Sequence, residues 1–252
     1  MKEKFAAQLY TVREELKQDF PGVLRELAAM GYAGVQISGL QGWDAEVIAA
    51  TLKETGLKTA GMHVGLDQLR NELPELLRQA DLFGTKDLVC PFLPQNFWNE
   101  EGYRAVKAEL NAIAREIAPK GYRLSYHNHA FEFETMVDGQ DALAFLLEPT
   151  AENLILAEID VYWVTKGGRD PVEYIKPYAG RMPLLHLKDM TNDEERAFAE
   201  VGTGLVNFPP ILAWGEESGV EWYCVEQDKC KGAPMESLRL SLNNLLKMAG
   251  ER

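Results

Sequence analysis

The sequence predicts a (β/α)8 barrel, and three observations carry that prediction. Eight short apolar runs alternate with longer amphipathic stretches, glycines follow the helical stretches, and the 252 residues are the length of one such barrel, about 250 residues. The candidate strands are Phe5–Val12, Gly34–Gly39, Lys58–Val64, Asp87–Leu93, Arg123–His129, Leu154–Val161, Pro183–Lys188 and Glu221–Gln227. Helical patterns over Phe20–Met30 and Ala45–Thr55 run into Gly31 and Gly56, where a helix C-cap is wanted. Gly84, Gly121 and Gly219 repeat that arrangement. Glu101–Pro119 is the longest amphipathic pattern, and Met235–Ala249 closes the chain with leucines at helical spacing. No linker rich in proline, glycine or serine interrupts the series, so residues 1–252 are read as a single domain. A doubly wound open sheet shares the alternation, but an eighth strand and the placement of the polar residues favour a closed barrel.

Composition limits the function classes. At 46% hydrophobic and 26% charged residues, the chain can bury a core. Its 39 acidic against 26 basic side chains leave a formal charge of −13, which repels phosphate backbones and anionic lipid. A small molecule is therefore the expected partner, with neither nucleic acid nor membrane. The composition leaves open whether the chain acts alone or as a homo-oligomer. No run of about 18 apolar residues is present, and the start MKEKFAAQLYTV lacks a cleavage pattern, so a cytoplasmic location is expected. Cys90, Cys224 and Cys230 have no CxxC spacing and read as buried or idle thiols.

The polar residues gather where barrel chemistry belongs, at the carboxyl ends of the strands. All four histidines fall there: His63 in GMHVG, His127 and His129 in YHNHAFEF, and His186 in LLHLKD. Glu132, Glu158, Asp160, Asp189 and Glu226 join them at the same level. Residues two apart share a strand face, so Glu158 pairs with Asp160, His186 with Lys188 and His127 with His129. A carboxylate inside an apolar strand is costly unless it meets a cation. Carboxylates with an imidazole suit a divalent metal ion, Mn2+, Mg2+, Co2+ or Zn2+; a salt-bridge network around Lys188 is the alternative.

Other residues near the strand ends have weaker readings. Tyr10, Trp98 and Trp163 offer aromatic faces to a sugar ring, or else pack within loops, and Phe97 with Trp98 reads as part of a lid. Gly202 and Gly204 in VGTG offer backbone N–H groups to a phosphate, and Lys166 and Arg169 in TKGGRD offer charge, with turn geometry and a solvated loop as the alternatives.

The chain resembles the xylose-isomerase-like TIM-barrel superfamily of sugar and sugar-phosphate isomerases and epimerases. The resemblance runs nearly end to end through AQLYTVRE, GVQISG, HNHAFEF, EIDVYW, LLHLKDM, VGTGLVNFPPIL and CVEQD. It implies a metal held by Glu132, Asp160, His186 and Glu226, with His63, His129 and Lys188 turned towards substrate. His127 is the alternative to Glu132 as first ligand, and Gln36 stands where relatives often carry glutamate. The implied activity is a metal-dependent sugar isomerase or epimerase acting on a ketose or keto-polyol through an enediolate, with Glu132 and Glu226 as acid and base and His129 or Lys188 as alternative proton carriers. Tyr10, Trp98, Trp163, His63 and His127 would bind the sugar or polyol. HNH also resembles the inosose-dehydratase-like branch, whose members would act as dehydratases or lyases on a keto-inositol or 3-keto sugar. A non-catalytic sugar-binding barrel ranks lower, as does the superfamily's abasic-site endonuclease activity, which needs more histidines and a less acidic surface.

Overall fold

The computed structural model of the chain describes residues 1–250. Eight parallel strands close into a barrel in which each strand pairs with its neighbours in sequence and the last pairs with the first. They are β1 (Phe5–Gln8), β2 (Gly34–Ser38), β3 (Lys58–His63), β4 (Asp87–Cys90), β5 (Arg123–His127), β6 (Ile155–Asp160), β7 (Leu184–Leu187) and β8 (Trp222–Val225). Every predicted strand is present, and each stops short of the predicted carboxyl end. The apolar run Phe5–Val12, for instance, leaves the ladder after Gln8 and continues as a 3-10 turn over Leu9–Val12. Leu9, Val12, Val64 and Leu93 beyond the strands are still buried, which a hydrophobic pattern does not distinguish from strand.

The helical pattern starting at Phe20 is the second half of a longer helical segment, Arg13–Met30, kinked at Asp19. Asp19 leaves helical geometry with φ −154° and ψ 80°, and its carboxylate accepts a hydrogen bond from Gly22 N, so it caps the half that begins beside Pro21. The helix Glu100–Ile117 is capped by the Asn99 side chain, which accepts from Gly102 N. Its Tyr103, Val106, Leu110, Ala114 and Ile117 form one buried stripe against the sheet.

Side-chain alternation divides the strands into an outer face, packed on the helices, and a lumen built in three layers. At the amino-terminal end Arg123 Nε meets Asp87 Oδ1 at 2.7 Å, and its Nη1 donates to Glu221. Above this floor lies a layer of small and medium residues, Ala6, Ala60, Val89, Leu184 and Cys224, closed by Trp222. Small side chains are what the narrow centre of an eight-stranded barrel admits. The third layer, at the carboxyl ends, is polar, and Gln8, Gln36, Glu158 and His186 in it are fully buried.

Two antiparallel ribbons not foreseen in the sequence decorate the carboxyl end, Met136–Val137 with Gln140–Asp141 and Asp189–Met190 with Phe198–Ala199. The second explains VGTG. Asp189 turns away from the lumen and accepts from the backbone N–H groups of Met190 (2.7 Å), Gly202 (3.0 Å), Gly204 (2.8 Å) and Val206 (3.0 Å). The N–H groups considered for a phosphate are thus already taken, and Asp189 does not join the other carboxylates. A Cβ on Gly204 would lie 2.1 Å from the Met190 carbonyl oxygen and 2.5 Å from Asp189 Oδ1. Gly204→Ala is expected to destabilise the fold by about 1–3 kcal/mol through this overpacking, read as a lower unfolding midpoint in urea; an unchanged midpoint would refute the clasp.

Candidate metal centre and cleft

Strand register brings the polar layer together. His127 is level with Glu158 between β5 and β6, and Asp160 is level with His186 between β6 and β7. At the centre lies Glu158, with no exposed surface. Its Oε1 is 2.6 Å from His63 Nε2, 3.0 Å from His186 Nε2 and 3.3 Å from His127 Nδ1, while Oε2 accepts from Gln36 Nε2. Gln36 Oε1 in turn accepts from Gln8 Nε2 at 2.6 Å and lies 2.7 Å from His186 Nε2. The departure from the family pattern at Gln36 therefore has a local reason: an amide can donate to Glu158, whereas a second carboxylate there would repel it.

The opposite ring nitrogens reach a second group. His186 Nδ1 is 3.3 Å from Glu226 Oε2 and 4.0 Å from Asp160 Oδ2, and His127 Nε2 is 4.0 Å from the same Asp160 oxygen. Asp160 is held from both sides. Its backbone N donates to Asn128 Oδ1 at 2.8 Å, and its Oδ1 accepts from Tyr162 N at 2.9 Å and Trp163 N at 3.3 Å. In HNH, then, the first histidine enters the lumen, the asparagine fixes Asp160, and the second histidine borders the cleft.

Burial opposes charge throughout the cluster, and neighbouring charges decide the outcome. Burial would raise the Glu158 pKa, but His186 and His63 hold it well below the usual carboxylate range. Burial would likewise lower His186, and Glu158 lifts it well above the ordinary imidazole value. His127 is driven well down by burial and by the neighbouring charge of His186, and His129 falls to about 3 through burial and the nearby charge of Lys188. Glu226 is kept ionised by Lys188 and His186 against its burial. Asp160 shifts upward because burial outweighs the attraction of Lys188.

A cleft of about 210 Å³ opens over the cluster. The imidazoles of His63, His127 and His129 face it together with the carboxylates of Glu226 and Asp228. Tyr10 and Phe92, exposed by 39% and 46%, stand at its rim. Asp228 and Phe92 were not singled out in the sequence, because a loop aspartate and a lone phenylalanine carry no pattern of their own. Trp98 and Trp163 do not border this cleft. Trp98 stacks on Phe131 at 4.0 Å and donates from Nε1 to Leu93 O, while Trp163 packs 5.2 Å from His129 and 5.4 Å from Lys188. Lys166 and Arg169 face other partners, the Arg196 carbonyl and Asp141.

Glu132 stands apart from both groups. The 3-10 turn Phe131–Phe133 folds it back behind β5, where Oε1 accepts from the Tyr126 hydroxyl at 2.7 Å and Oε2 from His129 N at 2.9 Å. His127 occupies the lumen position considered for it. His127, Asp160, His186 and Glu226 present ligand atoms within 4.8 Å of one another, as do His63, His127, Glu158 and His186. In the second group both oxygens of Glu158 are already engaged, by Gln36 and His63, with His186 and His127 close by, the arrangement of a carboxylate that orients ligand imidazoles. In the first, Asp160 Oδ2 has no hydrogen bond of good geometry, although Lys188 Nζ lies at 3.0 Å. Two carboxylates and two imidazoles beside an open cleft fit a divalent ion.

Comparison with known proteins gives the same architecture. The profile of the xylose isomerase-like TIM barrel family matches residues 24–247. An inosose dehydratase from Clostridium beijerinckii is 28% identical over 159 residues, 56% of this chain and 52% of that protein, so the match takes in about half the relative's length. An inosose dehydratase from Geobacillus kaustophilus is 26% identical over 230 residues, 76% of this chain and 74% of its own. Among solved structures, a sugar phosphate isomerase/epimerase from Parabacteroides distasonis superposes with a TM-score of 0.80 at 26% identity, covering 96% of this chain and 93% of that one.

The placement of Glu132 has a measurable signature. Burial pushes its pKa up to about 8, so the folded chain holds a proton there that the unfolded chain has released. Between the unfolded value near 4.5 and about 8 the folded state binds more protons, and stability contributed by this group falls as pH rises. Glu132→Gln is expected to remove that decline, so that the variant gains thermal stability relative to the native chain between pH 5 and about pH 8 while its metal stoichiometry stays unchanged. Loss of bound metal in this variant would return Glu132 to the ligand set.

Proposed function

Because the chain belongs to the xylose isomerase-like TIM barrel family, we propose that it is a metal-dependent lyase that removes water from an uncharged cyclic keto-polyol of the inosose type. The inosose dehydratase relatives support this reading, and it reverses the order in which the sequence ranked dehydration and isomerisation. The observation that carries it is the charge of the cleft. Two carboxylates and three imidazoles face the cavity, and no lysine or arginine lines it among the described residues. A phosphate ester would meet Glu226 and Asp228 with no cation to receive it, whereas the hydroxyls of a neutral ring can donate to both. A volume of about 210 Å³ suits a single six-membered ring.

Dehydration next to a carbonyl requires one proton to leave carbon and another to reach the departing hydroxyl. The C–H electrons form the double bond as the C–O bond breaks, and the proton delivered to oxygen completes the water. Two proton-handling groups face the cleft without belonging to the ligand set or being tied to Glu158: His129, kept neutral by burial, and Asp228. Asp228 is assigned to take the proton from carbon. The uncharged imidazole of His129 gives its N–H proton to the departing hydroxyl and recovers a proton from Asp228, so that the abstracted proton is accounted for and water is the sole leaving group. Tyr10 and Phe92 at the rim shield the ring from bulk water. A divalent ion held by His127, Asp160, His186 and Glu226 would supply Lewis acidity to the carbonyl oxygen.

Protein loaded with Co2+ or Mn2+ and incubated with a keto-inositol is expected to yield a product lighter by one water in the mass spectrum. His129→Ala is expected to lower that rate by about 10²-fold or more with metal content retained. Hydrogen exchange in heavy water with full retention of oxygen would instead establish the isomerase or epimerase reaction, and turnover of a phosphorylated ketose would overturn the assignment to a neutral substrate.

A further inference from the structure

Lys188 does not face the cleft, in contrast to the substrate-facing role that the family resemblance implies. Its side chain has no exposed surface and lies under the rings of Trp163, Phe198 and Tyr162, 5.4, 5.5 and 6.0 Å from the ammonium. Three carboxylates surround it: Asp160 Oδ2 at 3.0 Å, Glu226 Oε2 at 2.8 Å and Asp228 Oδ2 at 2.6 Å. With three carboxylate oxygens within 3.0 Å, the ammonium is a fully paired buried cation.

Two of those oxygens also face the ligand imidazoles. Asp160 Oδ2 lies 4.0 Å from both His127 Nε2 and His186 Nδ1, and Glu226 Oε2 lies 3.3 Å from His186 Nδ1. An ion held by the four-residue set would thus draw on the same two oxygens as the ammonium. The third partner, Asp228, is outside the ligand set and reaches the cleft. In a water-poor pocket one positive charge at this range changes the affinity for a second cation by orders of magnitude.

We propose that Lys188 is a resident counter-ion that competes with the divalent metal for Asp160 and Glu226, while Asp228 draws the ammonium away from those oxygens. It keeps the carboxylates assembled before metal enters and holds metal affinity down. This inference rests on the metal-centre reading above and goes beyond it, because it gives the two non-ligand residues effects of opposite sign.

The test measures Co2+ affinity by competition with a chromophoric chelator, together with thermal melting of the metal-free protein. K188M is expected to bind Co2+ at least about tenfold more tightly and to melt at lower temperature without metal, since three buried carboxylates lose their cation. D228N is expected to bind Co2+ more weakly, because the ammonium then rests wholly on Asp160 and Glu226. Equal or weaker binding by K188M overturns the proposal. Should K188M fail to fold, D228N decides it, and unchanged or tighter binding there is equally fatal. Co2+ binding that is lost in D160N but unmoved in K188M refutes the competition alone. No Co2+ binding by the native chain refutes the metal centre and the competition together.

Discussion

A carboxylate sealed from water at the centre of the barrel governs the arrangement of everything around it. Glu158 has no exposed surface and is satisfied by groups from β2, β3, β5 and β7 at once: Gln36, His63, His127 and His186. Removing any partner would weaken the compensation of a buried negative charge, which costs far more than losing a surface ion pair. Assembly of the site is therefore tied to assembly of the barrel, because β2, β3, β5 and β7 must be brought round to β6 before Glu158 is neutralised.

The same anchoring aims the chemistry. His186 has one nitrogen between Glu158 and Gln36 and His127 has one 3.3 Å from Glu158, so the opposite nitrogens point at Asp160 or Glu226. Loops alone would hold such a constellation less tightly than four strand ends do. Beneath it, the Ala6, Ala60, Val89, Leu184 and Cys224 layer keeps the polar site apart from the Arg123, Asp87 and Glu221 floor. The order polar, apolar, polar along the barrel axis lets both ends carry charge.

Much of this was legible in the sequence, for identifiable reasons. Strand existence was readable because short apolar runs recur between amphipathic stretches, and the level of the four histidines followed from their place at the ends of those runs. Asp160, His186 and Glu226 sit on or directly after strands, where alternation settles which way a side chain points. The choice between Glu132 and His127 was not legible, because Glu132 lies on a 3-10 turn, where no alternation operates, and only the fold reveals Tyr126 behind β5 bonded to it. Sequence gives the face of Lys188 and not its depth, which the fold sets among Asp160, Glu226 and Asp228. Phe92 and Asp228 belong to loops, where no alternation shows which way a side chain points, although Asp228 closes the CVEQD motif.

The Asp189 clasp has a consequence for how this barrel can vary. By gathering the N–H groups of Gly202, Gly204 and Val206 onto the residue that follows Lys188, it pins both ends of an excursion to one carboxylate. Between those ends the ribbon and Phe198 hold the chain against the barrel, and only the tip at 192–195 is both exposed and free of barrel contacts. Lengthening that tip adds a loop-closure cost that grows only with the logarithm of its length. This stretch is the natural place for the scaffold to acquire new structure above the cleft, a graft site whose stem is already welded to the barrel.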